Sequence, residues 1–215
     1  MTATIILTAE NARATFVFAH GAGADMNHEF MTQISQLLYA QNITTIRFNF
    51  PYMEKRLLDG KRYPPDRMPK LLIAYQQILT NIDQLITSNV PVFIGGKSMG
   101  GRVAATLAAQ INNHLLKLSG IICLGYPFHP QNKPDKLRLE PLQKCLLPIL
   151  IVQGERDALG DRQAIAGYEL PKNCQINFLD DGDHSFKPRV KSGFSQQQHI
   201  NSAVQYIVKF IHVNK

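Results

Sequence analysis

The chain has 215 residues, 45% of them hydrophobic and 18% charged, with a net charge of +7. It is long enough to bury a sizeable core, and its balance is that of a globular protein rather than a disordered or fibrous one. Its three cysteines, Cys123, Cys145 and Cys174, are an odd number without C-x-x-C spacing; they fit a reducing cytoplasm better than a disulfide framework or a zinc site.

Short β-rich apolar runs recur along the chain. They are "TIILTA" (4–9), "TFVFA" (15–19), "ITTIRFNF" (43–50), "VPVFIG" (90–95), "GIICLG" (120–125), "ILIVQG" (149–154) and "QINFLD" (175–180). Several are apolar on both faces, as strands covered on both sides are. Helical spacing lies between them. "FMTQISQLLYA" puts Phe30, Ile34, Leu37 and Leu38 on one face, and "RVAATLAAQI" does so with Val103, Ala104, Leu107, Ala108 and Ile111. Residues 71–87 and the tail from Ser195 to Val213 read as further helices. This alternation predicts one α/β domain over residues 1–215, with a mostly parallel sheet of about seven strands and helices on both faces. The first two runs are joined only by "ENARA", which predicts an antiparallel hairpin. Residues 51–70 and 126–148 are rich in proline and read as functional loops or lids. No apolar run reaches the roughly 18 residues of a membrane helix. The start, "MTATIILTAENARAT", lacks a basic leader and a long apolar stretch, so a cytoplasmic chain is expected.

Residues 95–101, "GGKSMGG", place four glycines around Ser98, after a strand and before an alanine-rich helix. Gly96-Lys97-Ser98-Met99-Gly100 is G-x-S-x-G in the context it requires. A sharp turn forces the serine into a strained backbone conformation and lifts its hydroxyl above the sheet, and glycines two before and two after avoid collisions. The pattern alone occurs by chance in about one of 14 such chains, so the strand and helix around it carry the weight. The plainer alternative is a turn or phosphate-cradling serine.

A serine nucleophile needs a base, and the base an orienting acid. Of seven histidines, His28, His114, His199 and His212 lie in or beside predicted helices, and His129 lies in the proline-rich excursion. His20 ends a strand ahead of the nucleophile. His184 follows the last strand directly in "DDGDHSF". Asp157 follows the preceding strand in "ILIVQGERDALGD", with Asp161 and Asp183 as rivals. The order Ser98, Asp157, His184 is that expected of an α/β-hydrolase, and all three fall at the carboxyl ends of strands, where open α/β sheets bind ligands. An oxyanion hole needs a second N–H from the loop after an early strand. "FAHGAGADM" (18–26) supplies one, so the expected donors are the N–H groups of Ala22 and Met99. The glycine loop lacks the G-x-G-x-x-G and G-K-[ST] arrangements that bind nucleotides.

"HGAGADMNHEFM", "RFNFPYMEK", "GGKSMGGRVA", "ICLGYPFHP", "VQGERDALG" and "DGDHSFKPR" together resemble the small α/β-hydrolases that include the testis-expressed protein 30-like and dienelactone-hydrolase-like proteins. The blocks occur in the same order over about residues 16–190. The resemblance implies the fold and the Ser98–Asp157–His184 assignment, and chemistry by such a triad needs no metal and no organic cofactor. It departs at "GERDALG", where Pro-Phe is expected after the aspartate, and at Phe128, where leucine is expected; both touch pocket shape rather than chemistry. "HGAG" and "SMGG" also look like monoacylglycerol lipases, but the chain has no room for their large cap domain.

The resulting expectation is a cytoplasmic serine hydrolase acting on an ester, thioester or amide through an acyl-enzyme on Ser98. A non-catalytic interaction module on the same fold and an acyltransferase with the same residues are the alternatives. Between Arg47 and Lys70, the basic residues Arg47, Lys55, Arg56, Lys61, Arg62, Arg67 and Lys70 face only Glu54, Asp59 and Asp66. With Lys97, Lys187 and Arg189 they suggest a cationic rim favouring a small anionic acyl substrate; the plainer reading is a solvated basic surface. No nucleic-acid partner is expected, because the stretch lacks a reading helix and a stacking platform.

Overall fold

The computed structural model describes residues 3–86, 89–110 and 117–215. Its elements run β1 (Thr4–Leu7), β2 (Ala14–Ala19), α1 (Glu29–Tyr39), β3 (Ile43–Phe48), α2 (Pro51–Asp59), α3 (Met68–Thr80), α4 (Ile82–Leu85), β4 (Val92–Lys97) and α5 (Met99–Gln110). They continue with β5 (Leu118–Leu124), α6 (Glu140–Lys144), β6 (Ile149–Gly154), α7 (Arg162–Ala166), β7 (Cys174–Leu179), a 3-10 turn (Val190–Ser192) and α8 (Gln196–Val213). Ile111, His114 and the last residue of the expected 71–87 helix lie outside the described residues.

The strands form one seven-stranded sheet in the order β1-β3-β2-β4-β5-β6-β7. Only β1 is antiparallel to its neighbour; the rest pair in parallel. Side chains alternate between two apolar layers, as the period of two requires. Phe16, Phe18, Phe93, Ile122 and Leu150 enter the layer under α1 and α8. Val17, Ala19, Ile94, Ile121 and Ile151 enter the opposite layer, under α3 and α5. Parallel strands covered on both faces explain the continuous apolar runs.

The expected β1–β2 hairpin does not form. β1 pairs with β3, in register Thr4↔Phe48 to Leu7↔Thr45, and β3 lies between β1 and β2. Burial decides this arrangement. All six positions of β2 are buried, so β2 takes a neighbour on each side, while every residue of β1 is half-exposed and suits an edge. The six residues joining them easily span two strand spacings of about 10 Å.

Residues 51–70 are also more ordered than expected. Pro51 stands at the start of α2, where its missing N–H costs nothing, and Gly60 ends it with φ 70°. Of the helix expected over 71–87, the described residues 71–86 divide between α3 and the short α4. The excursion 126–148 carries the one-turn α6, and no inserted cap domain covers the sheet among the described residues. Among them, no helix is long and apolar enough to cross a membrane.

Candidate active site

The connections leaving β2 turn toward β3 on one side, and the chain later returns to β4 on the other. That reversal opens a crevice beyond the carboxyl ends of β2 and β4, the place where such sheets bind ligands. The loop after β2 begins at His20, and the residue after β4 is Ser98.

Ser98 has φ 51°, a left-handed conformation that costs a non-glycine residue about 1–2 kcal/mol. Its N–H donates to Leu124 O at 2.9 Å, and its carbonyl accepts from Arg102 N–H at 3.1 Å as α5 begins. Two glycines allow the turn to sit this deep. A Cβ on Gly96 or on Gly100 would stand 2.4 Å from Ala19 O. The helix therefore rests directly on the backbone of β2, with its positive end beneath the serine.

Three distant segments meet at the hydroxyl. Ser98 Oγ lies 2.8 Å from His184 Nε2, and His184 Nδ1 lies 2.7 Å from Asp157 Oδ2. A carboxylate only accepts, so the Nδ1 proton faces Asp157 and the Nε2 lone pair faces the serine. Asp157 is fully buried; it also accepts from Gln153 Nε2 at 2.9 Å and from Leu159 N–H at 2.8 Å. Its rivals are committed elsewhere. Asp161 caps α7 by accepting from Ala164 N–H at 2.7 Å, and Asp183 accepts from Ser185 and Lys187 N–H at 2.7 and 2.9 Å. The other described histidines stand apart. His28 caps α1, His129 is buried against Pro130 O, His199 meets Phe186 O under α8, and His212 lies exposed near the end of α8.

The loop after β2 lies against Ser98. A Cβ on Gly21 would come within 3.7 Å of Ser98 Cβ. His20, fully buried, accepts from Phe50 N–H through Nε2 at 3.0 Å, so Nδ1 carries the proton and donates to Gly21 O at 2.7 Å. Burial lowers the His20 pKa to about 4, against a smaller opposing effect of its bond to Gly21. The carbonyl and N–H of a trans peptide point in opposite directions, so anchoring Gly21 O turns the Ala22 N–H away from the imidazole. Tyr52, buried in α2, donates its hydroxyl to Ala22 O at 3.0 Å and fixes the next peptide. Met99 is the first residue of α5 and buried.

His20 and Tyr52 were given no part by the sequence. The position of His20 before the glycines was the available signal; Tyr52 carries none, because its contact with the loop is purely tertiary. The expected cationic rim is only partly present. Arg47 is buried and spends its guanidinium on Met26 O at 2.7 Å and Thr32 Oγ1 at 2.9 Å. Arg189 pairs with Asp181. Lys97 turns its ammonium to His184 O at 2.6 Å, between the rings of Phe30 and Phe186. Desolvation there lowers its pKa to about 8, opposed by Asp157 and Asp183.

Comparison with known proteins agrees with this architecture. The chain superimposes on Est1E of Butyrivibrio proteoclasticus, in a complex with ferulic acid, with a TM-score of 0.71 at 15% identity, over 98% of this chain and 95% of that one. Dienelactone hydrolase from Anabaena variabilis gives 0.68 at 17%, over 96% and 90%. A serine hydrolase without a lid from Xanthomonas campestris gives 0.67 at 18%, over 96% and 87%. These likenesses concern the fold. The family model described as alpha/beta hydrolase domain matches residues 12–212. The chain belongs to the alpha/beta hydrolase domain family.

Proposed function

We propose that the protein is a serine hydrolase that cleaves a carboxylic ester, thioester or amide through an acyl-enzyme on Ser98. The observation that carries this reading is the unbroken hydrogen-bond chain from Ser98 Oγ through His184 to the buried Asp157. Ser98 Oγ attacks the carbonyl carbon while His184 Nε2 takes its proton, and Asp157 holds the imidazole and stabilises the imidazolium. The negative charge that develops on the carbonyl oxygen is met by the N–H groups of Ala22 and Met99. The anchored Gly21 carbonyl and the start of α5 support that pair. His184 then protonates the leaving group as the tetrahedral intermediate collapses. Water, deprotonated by the same nitrogen, attacks the acyl-enzyme and releases the acid, returning the proton to Ser98. Every step uses side chains and backbone groups of this chain, and none calls for a cofactor.

Turnover of a 4-nitrophenyl ester by the wild type and by Ser98→Ala tests the reading. A loss of about three orders of magnitude or more in kcat is expected. Equal turnover by both proteins would place the chemistry elsewhere.

A further inference from the structure

Beside the oxyanion loop lies a groove of about 560 Å³, lined by Ala22, Gly23, Arg56, Lys61 and Arg62, with Gly60 and Pro65 closing it. Its lining includes both the residue whose N–H is assigned to the oxyanion and three cations. Among the described residues, none of those cations lies within salt-bridge distance of a carboxylate. Glu54 lines a separate pocket with Lys55, and the other acids of this segment and of the oxyanion loop are hydrogen-bonded. Asp59 accepts from the Tyr63 hydroxyl and from Lys61 N–H, Asp66 from Tyr52 N–H and Lys70, and Asp25 from Asn27 N–H.

The segment bearing the cations is held in place. Arg56 Nε donates to Tyr63 O at 2.7 Å, and its guanidinium lies 5.0 Å from the Tyr52 ring centroid. Lys55 Nζ stands 4.0 Å over the Tyr63 ring. Tyr52, which braces this cluster, also holds the Ala22 carbonyl. The groove and the oxyanion loop thus share one support. Like charges gathered without a counterion repel one another, and an anion bound among them relieves that cost while making charge-assisted hydrogen bonds.

We propose that this groove binds an anionic group of the substrate, a carboxylate or a phosphate close to the reacting carbonyl, so that the enzyme prefers anionic acyl compounds. The proposal rests on the serine hydrolase reading for its substrate, but the anion site is testable without it. Three proteins, each with all 215 residues, are compared: the wild type, Lys61→Gln/Arg62→Gln, and a control, Lys209→Gln/Lys215→Gln, that removes the same charge from α8 and residue 215. Calorimetry with succinate and with inorganic phosphate at low salt reads binding without turnover. The ratio of kcat/KM for 4-nitrophenyl hemisuccinate over 4-nitrophenyl butyrate reads substrate preference.

Wild type and control are expected to bind at least one of the two anions, and Lys61→Gln/Arg62→Gln to bind it about tenfold more weakly or worse. The anion bound more tightly identifies the group the groove takes. The ester ratio is expected to exceed one, to fall about fivefold or more in the groove variant only, and to fall with salt in the wild type. Absence of anion binding in the wild type, or an equal loss in both variants, would overturn the site. Anion binding with an ester ratio that the groove variant leaves unchanged would overturn the substrate claim. If neither ester is turned over, the hydrolase reading fails, and the calorimetry still decides whether the groove holds an anion.

Discussion

Three aspartates compete on sequence position to orient His184, and geometry gives them different work. Asp157 faces Nδ1, Asp161 caps a helix, and Asp183 shapes the histidine's own turn. Replacing Asp157 by Asn puts an amide opposite Nδ1 and favours the wrong tautomer, so Asp157→Asn is expected to lower kcat on an activated ester by about 10⁴. Asp161→Asn keeps a good cap and Asp183→Asn keeps an acceptor, so each is expected to cost less than about tenfold. Steady-state kinetics on the three variants checks this, and a loss at Asp183 equal to that at Asp157 would reassign the acid. Ser98, Asp157 and His184 were legible because each sits at a fixed offset from a strand end. Lys97 was legible only as a cation. Its bond to His184 O depends on a partner 87 positions away, and no local pattern reports such a contact.

At the scale of elements, the site depends on how closely α5 approaches β2. A methyl group on Gly100 would meet Ala19 O at 2.4 Å and His20 O at 2.7 Å, both backbone atoms that cannot swing aside. Gly100→Ala is therefore expected to destabilise the protein by about 1–3 kcal/mol and to lower ester turnover, since His20 leads into the oxyanion loop. Gly23→Ala, with nothing within 4 Å of the added methyl, is expected to stay within about 0.5 kcal/mol of the wild type. Urea titration of both variants reads the difference; a Gly100→Ala protein as stable as the wild type would contradict the packing. Most elements could be placed from periodicity, but β1 could not be paired. A short linker suggests a neighbour, while the demand of a fully buried β2 for two partners is a property of the whole sheet. The helix α2 was hidden by its charge and prolines, although Pro51 and Gly60 marked its two ends.

For the whole molecule, the reversal of strand order between β2 and β4 brings Ser98 and the glycine loop together beyond the carboxyl ends of the two strands. That topology also ties the site to global stability through His20. Folded His20 titrates near pH 4 and its ordinary value is 6.5, so between those values the unfolded chain binds more protons. Stability falls as pH drops through this window, by about 3 kcal/mol in full, because protonating Nε2 removes the acceptor for Phe50 N–H. Urea titrations at pH 7 and pH 4 should show this loss in the wild type and a shallower one in His20→Asn; parallel losses would contradict it. On the proposed function, the turn after β4 displays an activated serine. The most direct measurement is labelling of the folded protein with a fluorophosphonate, with the modified residue located by peptide mass. One stoichiometric adduct on Ser98 is expected in the wild type, none in Ser98→Ala, and sharply slowed labelling in His184→Ala. An unlabelled wild type, or an adduct on another serine, would contradict it.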